Sequence, residues 1–218
     1  MTSGNEEQPR SVAGPTSGAP RPARRGARHR VTRESDVLVE VDLDGSGRFD
    51  VATGLPFFDH MLAQLARHGG IDLVVRTTGD LEVDAHHSVE DTGIVLGEAL
   101  GEALADKAGV RRFASVAVPL DESLVDVALD LSGRPYLRYE VPFAHGAVPL
   151  GDPGFEPQLA EEFWRAVVTS AGVTLHVSLR YGRNTHHILE ASFKGIARAL
   201  REAVRVEGGT VPSTKGVL

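Results

Sequence analysis

Two stretches of this chain share one five-residue pattern, His86-His87-Ser88-Val89-Glu90 and His186-His187-Ile188-Leu189-Glu190, 100 residues apart. On a helix the Glu falls one turn beyond the two His, so imidazoles and carboxylate can converge on one ion. The flanks repeat too. His60-Met61-Leu62-Ala63-Gln64-Leu65 with Gly70 and Leu73 falls onto Glu162-Phe163-Trp164-Arg165-Ala166-Val167 with Gly172 and Leu175, at an offset of 102. Self-similarity in the same order along both halves marks an internal duplication, which restricts the fold to two related units sharing a core.

Hydrophobic periodicity fills in each unit. Val37, Val39, Val41 and Leu43 alternate with polar residues, and the Asp44-Gly45-Ser46-Gly47 turn predicts a hairpin returning through Phe49 and Val51. Helical spacing follows over Phe57 to Arg67, with Phe58, Leu62 and Leu65 on one face. Ile71–Arg76 and Leu81–Val83 read as a second hairpin, and the first His-His-x-x-Glu opens a helix over Ser88–Lys107. The second half reads as strands Phe113–Leu120, Leu124–Leu131 and Tyr136–Val141, then a loop over Pro142–Pro157. A helix over Leu159–Thr169, a strand over Val173–Tyr181 and a helix to about Val206 complete it. The expectation is an α+β fold with sheets backed by helices. Its divisions are a disordered Pro/Gly/Arg-rich tail over 1–29, repeats over 30–109 and 110–206, and a polar C-terminal tail over 207–218.

Composition narrows the function. With no Cys there are no thiolate ligands, which leaves His and carboxylate as metal donors. No apolar run is long enough to span a membrane and the N-terminus lacks a secretory pattern, so a cytoplasmic protein is expected. The net charge is -7 although residues 1–30 hold six Arg against two Glu, so the body is acidic and unsuited to nucleic acid. A nucleic-acid module resting on the Arg-rich arm is the non-enzymatic alternative.

His60, His86, His87, Glu90, Glu162, His186, His187 and Glu190 occupy equivalent places in the two repeats. They are too many for one ion, and nitrogen/oxygen donors suit Mn, Fe, Co, Ni or Zn, so two metals are expected. Asp59, Asp84 and Asp91 either orient these histidines or serve as helix caps and surface charges. Arg111-Arg112, Arg134, Lys194 and Ser213-Thr214-Lys215-Gly216 offer donors for a phosphate, although surface Arg and Lys are usually just solvated. A dinuclear phosphoesterase or amidohydrolase would use similar parts.

The segments Val83-Asp84-Ala85-His86-His87-Ser88-Val89-Glu90-Asp91-Thr92-Gly93-Ile94, Gly182-Arg183-Asn184-Thr185-His186-His187-Ile188-Leu189-Glu190-Ala191-Ser192-Phe193-Lys194, Phe58-Asp59-His60-Met61-Leu62 and Pro212-Ser213-Thr214-Lys215-Gly216 resemble the imidazoleglycerol-phosphate dehydratase family of histidine biosynthesis, from about Arg30 to Leu218. The resemblance implies a fold made of two ribosomal-S5-domain-2-like βαβ-type units. It also implies a homo-oligomer of 24 subunits with active sites between chains, and two Mn(II) ions per site. The family's ligands fall on His60, His86, His87, Glu90, His186, His187 and Glu190, with Glu162 where relatives have a His. The same likeness assigns the substrate phosphate to Arg112, Arg134, Lys194, Ser213 and Lys215, and adds Glu34, Gln64 and Asp121 as active-site polar groups. The implied reaction dehydrates imidazole glycerol phosphate to imidazole-acetol phosphate. Two metals on the ring nitrogens stabilise imidazolate, hydroxide leaves to a diazafulvene, and Glu190, or failing it Glu34, moves the proton.

Overall fold

The structure, a computed structural model, describes residues 23–143 and 147–218, so most of the expected N-terminal tail lies outside the described residues. The first unit contains β1 (Arg25–Val31), β2 (Ser35–Asp42), β3 (Phe49–Ala52), α1 (Pro56–Gly69), β4 (Asp72–Gly79) and α2 (His86–Leu104). The second repeats that order with β5 (Phe113–Leu120), β6 (Ser123–Asp130), β7 (Tyr136–Glu140), α3 (Leu159–Ala171), β8 (Thr174–Tyr181) and α4 (Thr185–Ala203). Each unit has one four-stranded sheet, ordered β1-β2-β4-β3 and β5-β6-β8-β7.

The structure corrects three expectations. Phe49 and Val51 do not return against β2: β4 inserts antiparallel to β2, and β3 pairs parallel to β4 across the α1 crossover. Alternation fixes which face a residue takes, not which strand it pairs with. Leu81–Val83 forms a turn rather than a strand, with Val83 largely exposed. Order also begins before Arg30, because Arg25–Val31 pairs antiparallel with β2 and belongs to the sheet. Its arginines are partnered: Arg24 with Asp44, Arg25 with Asp42, Arg28 with Glu102 and Arg30 with Asp91.

The helices carry the duplication into one core. α2 covers β1 and β2, and α4 covers β5 and β6, yet α1 packs chiefly on α4 and α2 on α3. Each unit's crossover helix therefore pairs with the other unit's long helix, in a β/α/α/β arrangement. The core is continuous across both units, and Phe58, Phe155, Phe163 and Phe193 are among its fully buried side chains. Burying each such side chain stabilises by roughly 1.5–3 kcal/mol. Close approach of α2 and α3 depends on Gly93, where an added Cβ would sit 2.7 Å from the Phe163 carbonyl oxygen. The crossover helices stop alike. Gly70 and Gly172 take left-handed conformations at the C-caps of α1 and α3, and donate their N–H groups to the Ala66 and Val168 carbonyls.

Candidate active site

At the α1–α4 seam three donors converge. His60 comes from the start of α1, which Pro56 initiates and Phe57 and Phe58 anchor in the core. His186 and Glu190 lie one turn apart on α4. His186 Nε2 is 2.8 Å and His60 Nε2 3.4 Å from Glu190 Oε2, and one ligand atom from each residue lies within 4.8 Å of the others. Phe57 packs edge-on against the His186 ring at 5.2 Å. Two imidazole nitrogens and a carboxylate oxygen so placed fit a divalent transition metal such as Mn(II).

The cluster is electrostatically prepared. Lys194, one turn beyond Glu190, places Nζ 2.5 Å from Glu190 Oε1. Burial pushes the Glu190 carboxyl up, but Lys194, His186 and His60 together outweigh it and hold the group at about 2. It is an ionised anchor. Gln64, one turn along α1 from His60, lies 3.4 Å from His60 Nδ1 and 3.1 Å from His68 Nε2. Burial, with Lys194 and Arg198 nearby, lowers the His68 pKa.

The related place in the other half is looser. α3 meets α2 as α1 meets α4, so Glu162, His86 and Glu90 correspond to His60, His186 and Glu190. Here His86 Nε2 is 3.9 Å from Glu90 Oε2. Glu162 lies 3.7 Å from Arg165 on its own helix. Among the described residues, only His60, His186 and Glu190 draw together closely enough to form a ligand group.

Neighbouring histidines in each motif diverge. The His86 and His87 rings stand at 86° and those of His186 and His187 at 85°. His87 Nδ1 lies 3.0 Å from Asp80 Oδ2, whose hydrogen bond raises the His87 pKa. His187 Nδ1 lies 2.7 Å from Glu122 Oε2, with the same effect on His187. Glu122 in turn is held well below the usual carboxylate range by His187 and by the Asn184 N–H. Asp121, at positive φ in the β5–β6 turn, puts a carboxylate oxygen 3.8 Å from His187 Nε2.

The three aspartates considered as histidine partners have other tasks. Asp59 Oδ1 accepts from the Thr53 N–H and hydroxyl, Asp84 Oδ1 accepts from the His86 N–H, and the largely buried Asp91 takes Arg30 and Ser35. Asp80 and Glu122 were not among the expected site residues. A repeat could have marked the second: Glu34-Ser35-x-Val37-x-Val39 recurs as Glu122-Ser123-x-Val125-x-Val127 at an offset of 88. Glu34 itself is exposed at the β1–β2 turn, and its carbonyl accepts the Asp80 N–H at 3.1 Å.

Four of the five groups expected to hold phosphate share a cavity of about 880 Å³: Arg112, Arg134, Ser213 and Lys215. The C-terminal segment is fastened there, with the Gly109 N–H donating to the Thr210 carbonyl at 2.8 Å and Arg112 Nη1 to the Pro212 carbonyl at 2.8 Å. Lys194 lies elsewhere, beside Glu190 and in a cavity of about 610 Å³ with His68 and Arg198. The His60–His186–Glu190 cluster lines neither of these cavities. Among the described residues, no helix is long and apolar enough to cross a membrane.

Comparison with known proteins supplies the context. The family model for imidazoleglycerol-phosphate dehydratase matches residues 53–200. The enzyme of that name from Anaeromyxobacter sp. (strain K) is 53% identical over 208 residues, covering 95% of this chain and 98% of the relative. Its counterpart from Methanoculleus marisnigri is 54% identical over 192 residues, covering 87% and 97%. The crystal structure of imidazoleglycerol-phosphate dehydratase from Staphylococcus aureus superposes with a TM-score of 0.74 at 36% identity, covering 84% of this chain and 99% of that one. The Pyrococcus furiosus structure, in complex with (S)-C348, gives 0.72 at 36% identity, covering 88% and 100%.

Proposed function

The chain belongs to the imidazoleglycerol-phosphate dehydratase family, lyases of histidine biosynthesis, and from that premise we propose how its residues divide the work. We propose a cytoplasmic homo-oligomer of 24 subunits that dehydrates imidazole glycerol phosphate at sites between chains, with two Mn(II) ions per site. The observation that carries this reading is the convergence of His60, His186 and Glu190 on one point. Support for shared sites comes from what one chain leaves apart: His87 and His187 turn away from their neighbours, and the phosphate-type cavity lies off the cluster. His86, His87, Glu90, Glu162 and His187 then complete ligand shells with residues of other subunits.

His60, His186 and Glu190 would hold a metal, with His86, His87, Glu90, Glu162 and His187 completing the set, and the bound metals would supply Lewis acidity toward the substrate's imidazole. The chain's own residues supply the rest. Arg112, Arg134, Ser213 and Lys215 present cationic and hydroxyl donors to the phosphate, and Lys194 neutralises Glu190 and reaches the same substrate from another subunit. Glu190, bridging His60 and His186 and paired with Lys194, is placed for ligation. That leaves Glu34 to take the proton from the side-chain carbon. Its repeat equivalent, Glu122, is engaged with His187, whereas Asp80 performs that service for His87 and spares the Glu34 carboxylate. Gln64 steadies His60, and Asp121 stands on the Nε2 side of His187.

Purified protein given imidazole glycerol phosphate and Mn(II) forms imidazole-acetol phosphate, and chelation abolishes turnover. No product from fully metal-loaded protein overturns the proposal, and release of inorganic phosphate in its place identifies a phosphoesterase.

A further inference from the structure

The carboxylate of Glu122 joins two parts of the molecule that the sequence keeps far apart. Oε2 lies 2.7 Å from His187 Nδ1. Oε1 accepts the Asn184 N–H at 2.8 Å and the Arg183 N–H at 3.1 Å, and the Ser123 hydroxyl at 3.2 Å. Asn184 is the N-cap of α4, and its side chain accepts from the His186 and His187 N–H groups. One side chain in the β5–β6 turn thus grips both the imidazole of His187 and the backbone from which its helix starts.

An ionised carboxylate can only accept, so Nδ1 of His187 must carry the proton. A neutral imidazole has one N–H, and Nε2 is therefore left with a free lone pair. Geometry alone decides the tautomer. The first repeat reaches the same state by a different part, since Asp80 at the end of β4 accepts from His87 Nδ1. Two equivalent histidines are thus set by two carboxylates at non-equivalent positions, as expected if the direction of the Nε2 lone pair is what matters.

We infer that Glu122 is a positioning residue: its carboxylate, held between the His187 imidazole and the main chain opening α4, fixes His187 as the Nδ1–H tautomer with Nε2 aimed outward as a metal donor. This rests on the proposed metal-dependent reading of the site. Both Glu122 carboxylate oxygens are occupied by these contacts within the chain. Partners of this kind are generally worth about 10–100-fold in metal affinity.

Glu122→Gln separates positioning from scaffolding. The amide oxygen can still accept from the Arg183 and Asn184 N–H groups, but its NH₂ then faces Nδ1 and favours the Nε2–H tautomer, which blocks the donor. In Mn(II) titrations followed by electron paramagnetic resonance, the variant should stay folded without metal while its weakest-bound Mn(II) loses about 10–100-fold in affinity. Wild-type affinity and stoichiometry in a folded Glu122→Gln protein overturn the inference. A second measurement needs no variant of Glu122. In metal-free wild type labelled with ¹⁵N-histidine, magic-angle-spinning spectra should show the His187 proton on Nδ1, the signal being identified by its loss in His187→Gln. In spectra taken at a pH high enough to leave the ring neutral, a single His187 proton on Nε2 overturns the inference even if Glu122→Gln fails to fold. Wild type that binds no Mn(II) counts instead against the metal-dependent reading, and the two failures are told apart.

Discussion

The two His-His-x-x-Glu segments open equivalent helices and nevertheless live in different surroundings. On α4 the motif is gathered: Glu190 has a side chain only 12% exposed, bridges His60 and His186, and is clamped by Lys194. On α2 Glu90 is 46% exposed, stands 3.9 Å from His86, and has Ile94 where the other repeat has Lys194. The residue facing α2 from the crossover helix is Glu162, drawn toward Arg165, while the residue facing α4 is His60. Duplication therefore yields one half-site assembled within the chain and one left open. In the proposed assembly, the open half-site is the one with room for donors from a neighbouring subunit.

The largest expected effect breaks the closed half. Glu190→Gln removes the bridging anion, so both turnover and Mn(II) binding fall, whereas Glu34→Gln lowers kcat by about 10²–10⁴-fold with Mn(II) content retained. Parallel measurements of turnover and bound Mn(II) check the split. Near-normal activity of Glu34→Gln removes it as the proton acceptor, and full Mn(II) binding by Glu190→Gln removes it as a ligand.

A smaller effect separates Glu162 from His60. Glu162→Ala should weaken one class of Mn(II) by about 10-fold or more, while Glu162→His restores binding and shifts preference toward Zn(II) or Ni(II). Calorimetric titration with each metal is the check. Unchanged stoichiometry and affinity in Glu162→Ala reject ligation by Glu162.

Acid tests the closed half without metal. Because the fold holds the Glu190 carboxyl at about 2, below its ordinary value of 4.5, its ionised form stabilises the native state. That contribution is complete above the ordinary value and disappears as pH falls toward 2. Melting temperatures of metal-free protein should therefore drop more steeply over about pH 5 to 2 in wild type than in Glu190→Gln. Equal slopes would show that Glu190 is not held in this way.

How far the fold and site could be read from sequence follows the same division between local and distant contacts. The helices, most strands and both motif starts were legible because their signals are local periodicities. Partner choice was not. Nothing in the Phe49–Val51 pattern indicates that β4 will insert beside β2, since that depends on where the α1 crossover lands. Arg24, Arg25 and Arg28 resembled a solvated tail because their acidic partners, Asp44, Asp42 and Glu102, lie 17 to 74 residues away along the chain. Candidate ligands were visible as His and Glu at repeated offsets. Their grouping rested on the pairing of α1 with α4, which no short-range pattern encodes.

The smallest effect concerns how each motif's helix begins. Asn184 caps α4 by accepting the His186 N–H at 2.9 Å and the His187 N–H at 3.3 Å, whereas α2 starts from Ala85 with Asp84 accepting only the His86 N–H at 2.7 Å. An N-cap removed costs about 1 kcal/mol, so Asn184→Ala should lower unfolding stability by about that much in denaturant titrations. Asp84→Ala loses a single main-chain contact and should cost less. The cap also places His186 over Phe57 and His60, so Asn184→Ala should loosen the one gathered cluster as well as the helix. If the two variants cost the same and leave Mn(II) affinity alone, the closed half-site owes its order to α1–α4 packing rather than to the start of α4.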